Sequence, residues 1–157
     1  MHTCPNMQKV ALQLIALYDW HPSPGDVMVL AMPPYQDLAF ARLGRHLMSV
    51  AHQYHQEGDR MYDPEIVFFT GGAAWVPFSI TQSPVGVYRE VAVLTPDGSR
   101  IARIQPTGLR DVARFAELWA RNLVAQGWLD SATLVGKTES EDDEPPTQER
   151  PAPPPLG

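Results

Sequence analysis

Cysteine and long apolar runs are the two features that this sequence has least of. Its 157 residues hold one cysteine, Cys4. A single thiol cannot close an internal disulfide or form a thiolate metal cage, so we expect a reducing compartment and predict a cytoplasmic protein. No stretch approaches the roughly 18–20 apolar residues of a membrane span, and no basic segment followed by an apolar run marks a secretory signal. The sequence therefore predicts no association with a membrane.

Motifs for phosphate binding and for covalent catalysis are also missing. Gly71-Gly72 is followed neither by the Lys-Ser of a phosphate loop nor by a GxGxxG helix. The GxSxG turn of serine hydrolases does not occur. Residues 1–6 are expected to be loose, and a nucleophile at Cys4 would then be poorly held. From these absences we predict no cofactor and no covalent catalysis.

Positive charge is in short supply as well. The net charge is −6, with 12 Lys and Arg against 18 Asp and Glu. Residues 138–157 carry six acidic side chains and one arginine, so they hold −5 of that charge and leave the rest of the chain near neutral. A near-neutral body has no field that would attract nucleic acid in general.

The same C-terminal segment is rich in proline and almost free of apolar residues. Such a composition cannot bury enough surface to offset the entropy of ordering the chain. We therefore predict a single α+β domain over residues 1–136 and a disordered acidic tail over residues 137–157.

A β-hairpin is the clearest element that the sequence does contain. Met48 and Val50 alternate with polar residues, and His52 lies on their face, as in a strand with one buried side. Gly58-Asp59 interrupts the pattern as a turn. Asp63-Pro64-Glu65 is predicted to begin the returning strand, because proline suits a first strand position.

Helices are predicted on either side of a series of strands. Apolar residues recur at helical spacing over residues 7–20 and again over residues 109–126, where Thr107 is the predicted N-cap and Gly127 ends the helix. Between the helices, short apolar runs bounded by proline and glycine are typical of strands. We predict an α+β fold: an antiparallel meander sheet of about six or seven strands, with the N-terminal and the long C-terminal helix packed on one face.

The C-terminal helix has two distinct faces. Its apolar stripe, which we interpret as the face docked on the sheet, consists of Leu109, Val112, Ala116, Trp119 and Leu123. A role for Trp119 or Trp128 as a ligand platform is the alternative interpretation. The opposite side carries Arg110, Arg114 and Arg121, which form either a solvated face or a partner site.

Three segments in order resemble a known family. They are SVAHQYHQEGD with the following RMYDPEIVF, a GxYxEV strand at residues 86–91, and a closing helix of the form FAxxWxxNLxxQG. Together they resemble a small uncharacterised bacterial domain that is carried on plasmids, phages and integrative elements. The resemblance covers residues 38–129. It implies an accessory protein of a mobile element, and it carries over no biochemical role.

Polar residues cluster in sequence around the hairpin at His52, Asp59, Asp63 and Glu65. Imidazole and carboxylate groups can hold Zn²⁺ or Mn²⁺, or act as general acid and base. His55 lies three residues from His52 on a strand and so faces the other side. If the four residues converge in one concave site, a metal-dependent enzyme is favoured, and if they are spread around the hairpin, a binding protein is favoured.

We therefore predict a non-enzymatic accessory protein of a bacterial mobile element that binds another protein, with a second copy of the chain as an alternative partner. The alternative class is a small metal-dependent hydrolase or nuclease centred on the His52–Glu65 hairpin. An acidic tail could contact a basic partner. The residues predicted to contact a partner are Arg110, Arg114, Arg121, Glu141, Asp142, Asp143 and Glu144.

Overall fold

The computed structural model describes residues 1–140, and its elements follow an α+β order. The helices are α1 (Pro5–Leu17), α2 (Pro106–Gln126) and the short α3 (Trp128–Ser131). The strands are β1 (Val27–Ala31), β2 (Asp37–Gly44), β3 (Leu47–Gln56), β4 (Asp59–Phe69), β5 (Val76–Gln82), β6 (Val87–Glu90), β7 (Ala92–Leu94), β8 (Ile101–Ile104) and β9 (Thr133–Lys137). None of the helices in residues 1–140 has the length and apolarity needed to cross a lipid bilayer.

Seven strands form one antiparallel sheet in the order β6-β5-β4-β3-β2-β1-β9. Strands β1 to β6 follow one another as a meander, and β9 returns after the helices to pair with β1. Strands β7 and β8 form a separate two-stranded sheet. The predicted antiparallel sheet with two main helices is confirmed.

The helices cover one face of the large sheet. Met48 and Val50 of β3 and Phe68 of β4 are fully buried in the same core as residues of both long helices. The apolar stripe of α2 docks on this face as predicted, and Trp119 within it is 6% exposed. Apolar side chains that alternate along the strands form one face, and those that recur with each turn of α2 form another. The two faces pack against each other.

The N-terminal segment is more ordered than predicted. The backbone N–H of Cys4 donates to the carbonyl oxygen of Trp75 at 3.0 Å, and the Cys4 side chain is fully buried. The Glu117 carboxylate accepts the backbone N–H groups of Asn6 and Met7 at 3.1 and 3.0 Å, which satisfies free donors in the first turn of α1. Burial, with the charge of Glu117 adding to it, raises the pKa of the Cys4 thiol to about 12. The predicted looseness of this segment is wrong from Cys4 onward.

Two boundaries in the second half of the chain also differ from prediction. Helix α2 begins at Pro106, and its N-cap is Gln105, whose side chain accepts the Gly108 N–H, rather than Thr107. The GxYxEV strand of residues 86–91 ends at Glu90, and β6 and β7 belong to different sheets. Val91 links the two sheets, because its N–H donates to the Phe78 carbonyl oxygen at 2.8 Å and its carbonyl oxygen accepts the backbone N–H of Gln105 at 2.9 Å.

The ordered chain extends past the predicted domain boundary at residue 136. Lys137 belongs to β9, and the Thr138 N–H donates to the Val27 carbonyl oxygen at 2.9 Å. The carbonyl oxygen of Thr138 accepts the indole N–H of Trp20 at 2.9 Å, and Ser140 bonds to Asp26. The rest of the predicted tail, with Glu141, Asp142, Asp143 and Glu144, lies outside the described residues.

Candidate functional site

The candidate residues lie on the β3–β4 hairpin, whose turn falls one residue earlier than predicted. Glu57 (φ 53°) and Gly58 (φ 87°) form a two-residue loop, and both adopt the left-handed conformation. Asp59 is therefore the first residue of β4 and pairs with Gln56. A loop of this kind matches the twist of the flanking strands, so the pairing continues to the tip.

A β-bulge interrupts the hairpin at His52. The register shifts between Ala51 and Gln53, so that His52 on β3 faces both Asp63 and Pro64 on β4. The extra residue bends the strand and redirects side chains, and it accommodates a proline that cannot donate to the ladder. Asp63-Pro64 therefore lies within β4 and not at its start.

The four candidate residues do not converge. His52 lies on the helix-covered face, whereas Glu65 lies on the other face, where the Ser49 hydroxyl donates to its Oε2 at 2.6 Å. Asp59 is exposed at the hairpin tip, and Asp63 is exposed in the bulge. Within residues 1–140, no three or more His, Cys, Asp or Glu side chains come together in a group that could hold a metal ion. The geometric condition set for the alternative, metal-dependent class is therefore not met by the described residues.

The His52 ring contacts two tryptophan rings and two backbone carbonyl groups. Its ring centroid lies 5.4 Å from that of Trp119 and 5.7 Å from that of Trp128. Its Nδ1 lies 3.1 Å from the carbonyl oxygen of Gln36 and 3.4 Å from that of Asp37. Because carbonyl oxygens only accept hydrogen bonds, Nδ1 carries the proton and donates it.

The charge state of His52 follows from its burial. Burial lowers the pKa of His52, against the opposing effects of the Asp37 and Gln36 carbonyl groups and of the Asp63 charge. A ring with a lowered pKa is neutral at pH 7, and its second nitrogen, Nε2, is then a hydrogen-bond acceptor. Among residues 1–140 no group donates to His52 Nε2.

A cleft of about 190 Å³ opens beside His52, between the bulge and α2. We call it the His52 cleft. It combines apolar walls with a few polar groups, as small-ligand sites do. Its other lining residues are Pro64, Phe115, Leu118, Trp119, Asn122 and Gln126.

Trp119, one of the residues that line the His52 cleft, carries an unsatisfied donor. Its indole N–H is buried and has no hydrogen-bond acceptor among the described residues. Buried donors nearly always have a partner, and one without a partner costs about 1–3 kcal/mol. The interpretation of Trp119 as a core residue is thus correct, and its N–H is buried with the ring.

Leu118 separates the His52 cleft from two arginines. It also lines a neighbouring cavity of about 420 Å³ together with Arg114 and Arg121. Both arginines are exposed, and within residues 1–140 neither forms a salt bridge. Arg110 differs, since its Nε lies 3.7 Å from the Asp111 carboxylate. The structure therefore groups Arg114 and Arg121 around one exposed apolar side chain and leaves Arg110 apart.

Sequence reasoning missed Phe115, Leu118 and Pro64. Phe115 and Leu118 are three apart on α2 and lie outside its core stripe, and that spacing was the available signal because such residues share a helix face. Pro64 joins the cleft only through the bulge, and no local sequence pattern reveals the bulge.

Comparison with known proteins agrees with an uncharacterised family. Residues 9–129 match the family model described as Domain of unknown function (DUF6908). The match spans well over half of the chain. No curated protein matches the chain, and neither does any solved structure.

Proposed function

We propose that this chain, which belongs to the DUF6908 family, is a non-enzymatic accessory protein of a bacterial mobile element that binds another protein through the outer surface of α2. The resemblance of the three sequence motifs supplies the mobile-element context. The lone thiol of Cys4 fits a reducing, cytoplasmic setting.

The observation that carries the proposal is a pair of exposed apolar side chains on α2 that border the same cleft. Phe115 is 38% exposed and Leu118 is 53% exposed, although the core stripe of the same helix is buried. Both residues border the His52 cleft, so the exposed apolar surface continues into a concavity. Apolar side chains grouped around a concavity are typical of surfaces that bind a partner.

The charges beside this surface are two arginines and the Glu117 carboxylate, which already accepts two N–H groups of α1, and they favour an acidic partner. Arg114 and Arg121 lie four residues before and three residues after Leu118, and within residues 1–140 neither guanidinium has a carboxylate partner. A partner that offers carboxylates around an apolar side chain complements this arrangement. The proposal therefore commits to a partner protein with an acidic segment that contains an apolar or aromatic anchor.

The separation of the four hairpin residues supports binding over the hydrolase or nuclease alternative. A metal-dependent reaction centred on His52 needs further ligands at the same place. Glu65 faces the opposite side of the sheet, and Asp59 lies at the hairpin tip. No arrangement among the described residues favours that alternative, and it is not proposed further.

The test is affinity capture from the native host with three matched baits: wild type, Leu118→Asp and Leu12→Asp. Leu12 on α1 is 47% exposed and does not line the His52 cleft, so it controls for a charge placed on an exposed helix. We expect a protein that wild type and Leu12→Asp retain and Leu118→Asp loses. With that protein purified, Leu118→Asp should weaken binding by about tenfold or more.

Charge reversal supplies a second arm. The double variant Arg114→Glu, Arg121→Glu should weaken binding of the same purified partner, and the wild-type affinity should fall as salt rises, because exposed charges are screened over about 10 Å at 0.1 M salt. Equal retention by all three baits would place the contact elsewhere. A wild-type dimer that Leu118→Asp dissociates, measured by sedimentation, would identify a second copy of the chain as the occupant and overturn the heterologous partner.

A further inference from the structure

We infer that a cavity between α1, α2 and α3 binds a small organic anion, a molecule with an apolar body and one carboxylate or phosphate group. We call it the Lys9–Arg121 cavity, after the two cations that line it. It shares no lining residue with the His52 cleft. The inference goes beyond the proposed function and does not depend on it.

Three helices build the Lys9–Arg121 cavity. Asn6, Lys9 and Gln13 are spaced three and four residues apart, so they lie on one side of α1. Arg121 lines the same cavity from α2, and Leu129 lines it from α3. Sites built on helices hold their side chains more precisely than sites built on loops. The walls of the cavity are therefore formed by the packing of the domain itself.

The size and the apolar lining suit a small molecule. The volume of the cavity is about 370 Å³, and small-ligand sites measure roughly 300–1,000 Å³. Val10 and Ala120 of the lining are buried in the domain, whereas Val124 beside them is 49% exposed. An apolar ligand body that covers Val124 removes apolar surface from water, which is favourable.

The charges of the lining select an anion. Both of its ionisable residues, Lys9 and Arg121, are cations, and within residues 1–140 neither forms a salt bridge. Glu117 of α2 does not line the cavity, and its carboxylate already accepts two backbone N–H groups of α1. Two unpaired cations at one cavity repel each other, and an anion bound there offsets the repulsion. Because the chain has a net charge of −6, this positive site is not part of a generally basic surface.

The types of donor select the charged group of the ligand. The guanidinium group of Arg121 can form two parallel hydrogen bonds with a carboxylate or a phosphate, and the ammonium group of Lys9 adds a point charge. Asn6 and Gln13 carry carboxamides, which can donate further hydrogen bonds. A cationic ligand would be repelled. A neutral apolar ligand would take water from the two charged groups without replacing it.

The test compares three probes that share a hexyl-sized body: hexanoate, hexyl phosphate and the neutral hexanamide. Each is titrated into the full chain, and binding is followed by the ¹⁵N NMR signals of the backbone amides. We expect hexanoate to bind at least about fivefold more tightly than hexanamide, the upper end of what one exposed ion pair contributes. Added NaCl should weaken hexanoate and leave hexanamide unchanged. Tighter binding of hexyl phosphate than of hexanoate would assign the phosphate class, and the reverse order the carboxylate class.

Charge-removing variants test the two cations. Lys9→Gln and Arg121→Gln should each weaken hexanoate by about two- to fivefold, and the double variant should bind hexanoate and hexanamide equally. Arg60→Gln is the matched control, because Arg60 is an exposed arginine on β4 that does not line the cavity. It should leave hexanoate binding unchanged.

A carboxylate on the wall tests the position of the site. Val124→Asp introduces that charge at the cavity, and Val85→Asp makes the same change at an exposed valine that does not line it. We expect Val124→Asp to abolish hexanoate binding and Val85→Asp to leave it unchanged. Far-ultraviolet circular dichroism verifies that both variants are folded.

Three results would overturn the inference. Equal binding of hexanoate and hexanamide to wild type would show an apolar site without selection for an anion. An equal loss in Arg60→Gln and Arg121→Gln would show a general effect of charge. Absence of saturable binding for all three probes would remove the site altogether. Lys9 does not line the surface around Leu118, so these measurements can fail while partner capture through Leu118 succeeds.

Discussion

Two buried polar sites lie at opposite extremes of hydrogen-bond satisfaction. The Asp26 carboxylate is 2% exposed, and each of its oxygens accepts two hydrogen bonds. Oδ2 accepts the backbone N–H groups of Ser23 and Ser140 at 2.8 Å, and Oδ1 accepts the hydroxyls of Ser140 and Thr138 at 2.8 and 3.1 Å. Beside the His52 cleft, by contrast, the Trp119 N–H is buried and has no acceptor among residues 1–140.

The difference shows which of the two groups links distant parts of the chain. A carboxylate with all its bonds made inside the chain holds two distant segments together and has nothing left for a ligand. The buried Trp119 N–H makes no such link, so Trp119 stabilises the domain through the packing of its ring. We therefore interpret the Asp26 site as the fastening of the C-terminal segment to the sheet.

The largest expected effect comes from removing the ring of Trp119, which lines the His52 cleft and also packs in the core. Trp119→Ala should lower the free energy of unfolding by about 3–5 kcal/mol, since it leaves a cavity where α2 docks on the sheet. Chemical denaturation measures this change. An unchanged midpoint would contradict the position of Trp119 at the centre of the docked stripe. The loss should come from the ring, because the N–H makes no bond to other described residues.

The next largest effect is expected from truncation. Comparing the melting temperatures of proteins that end at residue 136 and at residue 140 measures how much residues 137–140 stabilise the domain. The shorter protein loses the Thr138 carbonyl that accepts the buried Trp20 indole N–H. That loss alone should cost about 1–3 kcal/mol. Truncation after residue 140 should leave the melting temperature unchanged, because residues 141–157 have almost no apolar side chains to bury. Equal melting temperatures for the two truncated proteins would show that residues 137–140 stabilise nothing.

The pH dependence of the free energy of unfolding tests the contribution of the charged Asp26 carboxylate. The backbone N–H of Ser140, followed by that of Ser23, lowers the pKa of Asp26. A carboxyl group whose folded pKa is depressed contributes stability above its unfolded pKa, about 3.9, and loses it as the pH falls through the folded value. Wild type should therefore lose stability below about pH 4 more steeply than Asp26→Asn, and the two curves should converge at the lowest pH. Parallel curves across that range would contradict a charged, fully bonded Asp26.

The smallest expected effect is at the bulge. Asp63→Asn should change stability little, since Asp63 is exposed and asparagine has nearly the same size and shape. It should also lower the pKa of His52, because the Asp63 charge opposes the lowering by burial. NMR titration of the His52 ring measures that pKa.

The same variant tests the metal alternative. Melting with and without Zn²⁺ or Mn²⁺ should give matching curves for wild type and Asp63→Asn. A metal-dependent rise in the wild-type melting temperature that the variant abolishes would restore the metal-dependent class, since a ligand that binds only the folded state stabilises it.

Local periodicity in the sequence determined the elements of the fold. Alternation around Val50 predicts β3, helical spacing through Trp119 predicts α2 with its docked face, and Gly127 marks the end of that helix with a positive φ of 96°. These features depend on residues that are only a few positions apart, so the local sequence pattern is enough to predict them. The interpretation of Trp119 as a docked core residue followed from that spacing alone.

Tertiary structure decided the features that join residues far apart in the chain. Glu117 completes the first turn of α1 from a position 110 residues away, and β9 pairs with β1 across the whole domain. The bulge at Asp63-Pro64 shifts the register of β4, so that Glu65 lies on the face opposite His52 although the two residues are close in sequence. The His52 cleft exists only once α2 packs beside that bulge. The packing of whole elements and the register between strands decide which distant groups come into contact. No local stretch of sequence reveals either of them.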